Sequence, residues 1–134
     1  MADTHAVPEE LRYSIEHEWL RIEGEFARVG ITDYAQSELG DVVYVDLPKP
    51  GGSVTFMGKL GEIESVKVAS EIFSPAAGEV IEVNTTLDAQ PERVNQDPYG
   101  EGWLVLLRLT DPTDADKLLS PQAYRDLVKQ EQGG

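Results

Sequence analysis

Glu62-Ile63-Glu64-Ser65-Val66-Lys67-Val68-Ala69-Ser70-Glu71 holds a single basic residue among acidic, small and β-branched neighbours. A run of this kind predicts two short strands with one long, reactive amine between them, because β-branched side chains favour extended backbone. Lys67 is thereby presented for covalent work. Three chemistries are open to a lysine amine: phosphate binding, Schiff-base formation, and acylation by a carrier group. No Gly-rich loop precedes Lys67, which excludes a P-loop. A Schiff-base lysine needs a desolvated, electropositive site, whereas Glu62, Glu64 and Glu71 favour the charged amine. Acylation is the best remaining use, and on these residues alone a solvated surface lysine stays open beside it.

Outward from this segment the chain reads as mostly β. Glu18 to Ile22 and Phe26 to Ile31 flank a Glu23-Gly24-Glu25 turn, predicting a hairpin with Leu20 and Ile22 on one face. Thr32 is placed to cap a short helix, with Asp33 at its start and Gly40 at its end. Val42 to Leu47 predicts a strand halted by Pro48, and Pro50-Gly51-Gly52 and Pro75-Ala76-Ala77-Gly78 predict turns. Glu79 to Val83 and Trp103 to Leu109 predict two further strands. Ser120 and Pro121 open a final helix whose inner stripe is Ala123, Tyr124, Leu127 and Val128.

A chain of 134 residues is the size of one domain. Residues 1–10 are expected as a flexible leader, 11–129 as the single domain, and 130–134 as a frayed end. With 11 basic and 25 acidic residues the net charge is −14, which repels nucleic acid and anionic lipid and steers the chain toward basic partner surfaces. Cysteine is absent, so disulfides and thiolate metal sites are excluded. No apolar run reaches the length of a membrane span, and the first ten residues resemble neither a signal h-region nor a basic transit peptide. The expected location is cytoplasmic and the expected state monomeric. His5 and His17 are the only histidines; neither has metal-ligand spacing, and His17 reads as a strand-edge residue. No serine lies in a G-x-S-x-G context.

Glu64-Ser65-Val66-Lys67-Val68-Ala69-Ser70-Glu71-Ile72-Phe73-Ser74-Pro75 resembles the lipoylation segment of the glycine cleavage system H protein family. The likeness continues through Gly78-Glu79-Val80-Ile81-Glu82-Val83-Asn84. Upstream it takes in His17-Glu18-Trp19, Val29 to Gln36 and Leu39 to Val45, and downstream Val94 to Trp103, in the same order. It spans about Leu11 to Tyr124. Val68 departs slightly, since alanine or threonine is commoner there in the family.

The resemblance implies a flattened barrel-sandwich hybrid of two antiparallel sheets with short helices and a C-terminal helix, like other lipoyl and biotinyl carriers. Lys67 would sit on a tight hairpin and carry lipoate through an amide. Glycine decarboxylase, using pyridoxal phosphate, would transfer an aminomethyl group to the lipoyl dithiolane; aminomethyltransferase would remove it, and dihydrolipoamide dehydrogenase would reoxidise the dithiol. The chain itself would be a non-catalytic shuttle. Family position also implies that Glu64 and Gly78 serve recognition by the lipoate-attaching enzyme, and that Glu18, with Glu71 second, clamps the cationic loaded arm. Two other readings stand beside this one. The first is a biotinyl domain or a 2-oxoacid dehydrogenase lipoyl domain, against which Val66 and Val68 replace flanking methionines and the His17 to Tyr44 extension is too long. The second is a noncatalytic β-sandwich adaptor or a relay passing lipoate to other carriers.

Overall fold

The computed structural model describes residues 5–133; residues 1–4 of the expected leader and Gly134 of the expected frayed end lie outside the described residues. Nine strands appear in chain order: β1 (Arg12–Tyr13), β2 (Glu18–Glu23), β3 (Phe26–Ile31), β4 (Val42–Asp46), β5 (Ser53–Val54), β6 (Lys59–Ser65), β7 (Ala69–Phe73), β8 (Gly78–Val83) and β9 (Val105–Leu109). Three α-helices accompany them, α1 (Asp33–Leu39), α2 (Arg93–Gln96) and α3 (Pro121–Glu131), with 3-10 turns at Thr85–Asp88 and Pro112–Lys117. A six-stranded sheet runs β1-β2-β3-β9-β8-β5 and a three-stranded sheet runs β4-β6-β7, with every pairing antiparallel. The two-sheet sandwich matches the expectation. The sheets do not close into a barrel.

Local chemistry sets the boundaries. Gly24 turns the β2–β3 hairpin at φ +69°, fixing a register from Glu18↔Ile31 to Glu23↔Phe26. Thr32 Oγ1 accepts from Ala35 N–H at 3.1 Å to start α1, and Gly40 ends it at φ +80°. Ser120 Oγ accepts from Ala123 N–H at 3.2 Å, with Pro121 in the first turn of α3.

Two apolar clusters follow from the alternation of β2. Leu20 joins Val29, Ile31, Val45, Ile63, Ile72, Val80 and Leu107 between the sheets. Trp19 points the other way, joining Leu11, Tyr13, Tyr34, Tyr124 and Val128, so α3 covers the opposite face of the β1–β2 corner. Ile22, on the face of Leu20, runs out to solvent. The second cluster also anchors part of the expected leader. Ala6 N–H donates to Asp33 Oδ2 at 3.0 Å, Tyr99 O–H donates to Ala6 O at 2.6 Å, and Tyr13 O–H donates to Pro8 O at 2.7 Å. Residues 6–8 are therefore held against the body. At the other end α3 continues to Glu131, whose carboxylate meets His17 Nε2 at 2.8 Å.

Gly30 shows how tightly the corner is packed. A Cβ there would meet the Trp19 ring at 2.6 Å, and that ring is held by its Nε1–H donating to Pro98 O at 3.0 Å. Gly30→Ala is expected to lower unfolding free energy by about 1–3 kcal/mol, the usual cost of overpacking, as measured by urea titration.

Candidate functional site

Lys67 sits on the turn between β6 and β7. Register Glu64↔Ala69 leaves Ser65 to Val68 to make the reversal, and Ser65 N–H donates to Val68 O at 2.8 Å. The Ser65 hydroxyl oxygen accepts from Lys67 N–H at 3.2 Å and Val68 N–H at 3.1 Å, so one short side chain satisfies both amides of the tip. Val66 N–H donates to Asp41 O at 2.9 Å, tying the turn to the α1–β4 junction. Asn95 holds that junction from behind. Its amide donates to Gly40 O at 2.8 Å and to Gln36 Oε1 at 3.0 Å, and its Oδ1 accepts from Val42 N–H at 2.8 Å.

The turn is thus fixed while its side chain is not. Lys67 is exposed, and its amine makes no hydrogen bond or ion pair with the described residues. Its stem lies beside the end of α1, where a Cβ on Gly40 would stand 3.4 Å from Lys67 Cε. Gly40 is therefore required by the φ +80° that ends the helix, and a Cβ there would only touch the lysine stem at ordinary contact distance.

Next to the turn a groove of about 410 Å³ runs between α1, β7 and the end of α3. Glu16, Glu38, Glu71 and Glu131 line it together with His17 and Tyr34, and Val68 and Ala69 form its edge toward Lys67. Four carboxylates on one small depression suit a cationic occupant. His17 is not a strand-edge residue: it adopts φ +74° in the β1–β2 turn, which aims its ring at α3. Nδ1 shares a hydrogen bond with Tyr124 O–H at 2.8 Å, and the Tyr124 oxygen also meets Thr32 Oγ1 at 2.6 Å.

Glu18, expected to clamp the cationic loaded arm, is 1% exposed and is not among the groove-lining residues. Ser14 O–H donates to Oε1 and Phe73 N–H donates to Oε2 at 3.2 Å, so Glu18 bridges the β1–β2 turn to the end of β7. Burial pushes its carboxyl up to about 7, with the Ser14 and Phe73 hydrogen bonds pulling the other way and Glu16 adding a smaller upward push. Glu71 is exposed on the groove, and Glu64 is exposed on β6 opposite Tyr44 and Ala69. Gly78 is buried inside the larger sheet between β9 and β5. Positive φ does not explain its glycine. A Cβ would lie 2.4 Å from Arg108 O, so close strand approach requires it. Ser65 and Asn95 were not marked by spacing; only the serine two residues before a turn lysine carries a local signal.

A family model described as Glycine cleavage H-protein matches residues 11–131. A glycine cleavage system H protein of Rubrobacter xylanophilus is 54% identical over 126 residues, covering 94% of this chain and 98% of the relative. Another from Symbiobacterium thermophilum is 50% identical over 124 residues, covering 92% and 97%. Among solved structures, the crystal structure of a glycine cleavage system H protein from Mycobacterium marinum superposes with a TM-score of 0.81 at 35% identity, covering 94% of this chain and 99% of that one.

Two outcomes test the geometry. Asn95→Ala strips partners from Gly40 O and Val42 N–H, and is expected to cost about 2 kcal/mol and to speed hydrogen exchange at Val66 N–H. For Glu18, a folded-state value near 7 lies above the ordinary value of 4.5. Its favourable contribution is then present below pH 4.5 and lost as pH rises through about 7. Glu18→Gln removes this loss: the variant's melting temperature should match wild type near about pH 5 and exceed it near about pH 8.

Proposed function

Because the chain belongs to the glycine cleavage H-protein family, the lipoyl carriers of the glycine cleavage system, we propose that Lys67 is the residue to which lipoate is joined. The observation that carries this reading is the contrast at the turn, where every backbone amide from Ser65 to Val68 is held and the lysine amine meets no partner among the described residues. An attached arm needs an anchor that does not move and a stem that does. The lysine fits the group: an exposed primary amine can form the amide, its stem lies beside Gly40, and its neighbour Val68 lines the groove.

Lipoate, when attached, supplies a disulfide that takes up an aminomethyl group together with electrons, chemistry that a chain without cysteine does not offer. This chain's residues position and shelter. Ser65 and Asp41 hold the turn, Asn95 holds Asp41's neighbours, and Gly40 ends the helix beside the stem. Glu16, Glu38, Glu71 and Glu131 of the groove are the carboxylates that would receive an ammonium carried on the Lys67 arm, Glu71 exchanging its contact with Lys59 and Glu131 its contact with His17. Glu18 acts on the clamp from behind as a positioning residue, fixing the end of the strand that carries Glu71. Glu64, exposed three residues before Lys67, is the accessible candidate for recognition by the attaching enzyme; Gly78 contributes to that recognition through the shape of the sheet.

Within this reading the chain catalyses none of the steps. It visits glycine decarboxylase, aminomethyltransferase and dihydrolipoamide dehydrogenase as a cytoplasmic monomer, and no helix among the described residues is long and apolar enough to cross a membrane. Incubation with a lipoate-attaching enzyme should add one lipoyl increment that peptide mass mapping places on Lys67. Lys67→Arg should remain unmodified, keep the wild-type melting temperature, and lose glycine-dependent loading entirely. Full glycine breakdown by that variant in a reconstituted system would sink the assignment.

A further inference from the structure

We propose that the outer face of the three-stranded sheet, led by Val43 and Tyr44 of β4, is the docking surface for the enzyme that attaches lipoate, and that this enzyme meets it with an apolar patch edged by arginine or lysine. The inference rests on Lys67 being the lipoylated residue.

Six large apolar side chains are exposed among the described residues, and four of them lie on the Lys67 turn or on the strand paired beside it: Val66 at 68% and Val68 at 48% flank the lysine, and Val43 at 52% and Tyr44 at 53% lie on β4. The register sets β4 next to the turn. Val42 pairs with Ser65 and Tyr44 with Glu64, with a bulge between, so β4 turns two consecutive side chains outward beside the Lys67 turn. A bulge that exposes a valine and a tyrosine together contributes nothing to the core on the other face. Apolar side chains gathered in one place around a reactive group mark a contact surface, whereas scattered ones need no explanation.

The same face carries a row of negative charge. The next row on that face, two residues beyond Tyr44, is Asp46↔Glu62↔Glu71, three carboxylates side by side on neighbouring strands. Like charges directly opposed in a sheet are destabilising, so the row weakens the fold that contains it. Only Glu71 has a cationic partner, Lys59 Nζ at 3.4 Å; Asp46 and Glu62 have none among the described residues. A basic surface on a partner would relieve the row, while the apolar corner beside it would supply the buried contact.

Reach decides which partner this is. Attachment joins Lys67 Nζ, as the neutral amine, to the acyl carbon of an activated lipoyl donor, an acyl adenylate or thioester. The C–N bond forms, the activating group departs with its bonding electrons, and the amine proton passes to a base of the enzyme. The bond is made at the lysine itself, so the attaching enzyme must cover the turn and whatever borders it. Enzymes that work on the far end of the finished arm have no such need.

The test measures steady-state lipoylation by a lipoate-attaching enzyme with lipoate and ATP, read by intact mass, on wild type, Val43→Thr/Tyr44→Thr and Asp46→Asn/Glu62→Gln. Threonine keeps strand propensity at exposed positions, and unchanged near-ultraviolet circular dichroism and melting temperature confirm folding. For the apolar pair kcat/KM is expected to fall at least about tenfold, mainly through KM. The acidic pair should weaken it too and flatten its salt dependence. After forced full lipoylation, glycine-dependent loading of the Val43→Thr/Tyr44→Thr chain should stay within about twofold of wild type. Normal lipoylation of that variant would overturn the docking surface and leave Lys67's role standing. An equal fall in loading would show a surface shared with the glycine-handling enzymes and would overturn its assignment to the attaching enzyme. Failure of the wild-type chain to gain lipoyl mass would overturn the Lys67 reading itself, and the surface with it.

Discussion

A single half-buried side-chain amide organises the working end of this protein. Asn95 grips Gly40 O and Val42 N–H, the residues on either side of Asp41, and Asp41 O in turn accepts the Val66 N–H one residue before Lys67. Without that grip the passage from α1 into β4 would present a carbonyl and an amide with no partner, and the turn would lose its fixed neighbour. The link joins three distant stretches of chain at the point where a helix, a sheet edge and a hairpin meet. Stiffness at Lys67 is therefore a tertiary property, supplied by a residue 28 positions later in sequence.

Around that anchor polar groups divide into two kinds. Ser65, Asn95 and Glu18 are consumed by the fold, each oxygen or nitrogen assigned to a backbone partner or a neighbouring hydroxyl. Glu38, Glu71 and Lys67 are left toward solvent and the groove. Glu18 and Glu71 have the same chemistry and opposite circumstances. Burial makes the first a structural tie near its own titration point, whereas the second is exposed, meets Lys59 Nζ at 3.4 Å, and can exchange that partner for an incoming cation.

Much of the fold was legible because it rests on local rules. The β2–β3 hairpin, the Thr32 cap and Gly40 stop of α1, and the Ser120-Pro121 start of α3 fall where alternation and capping residues place them. The two-residue strands β1 and β5 and the four-residue α2 were not foreseen, since so few residues show no periodicity. Lys67 was legible from its neighbours and from the family pattern around it. Alternation put Ile22 correctly on the face of Leu20 but did not show that the strand leaves the core there, and it misplaced Glu18 because it does not say which face other elements will cover.

The amino-acid sequence alone determined the strand pattern, the isolated amine, the acidic balance and the family likeness, because each depends on residue type and near spacing. Only the tertiary structure decided that Glu18 lies behind the groove, that Gly78 is required by a strand carbonyl, and that Asn95 secures the turn. Each of those depends on which distant backbone groups come within hydrogen-bond or van der Waals reach, and packing sets that reach, not the order of residues along the chain.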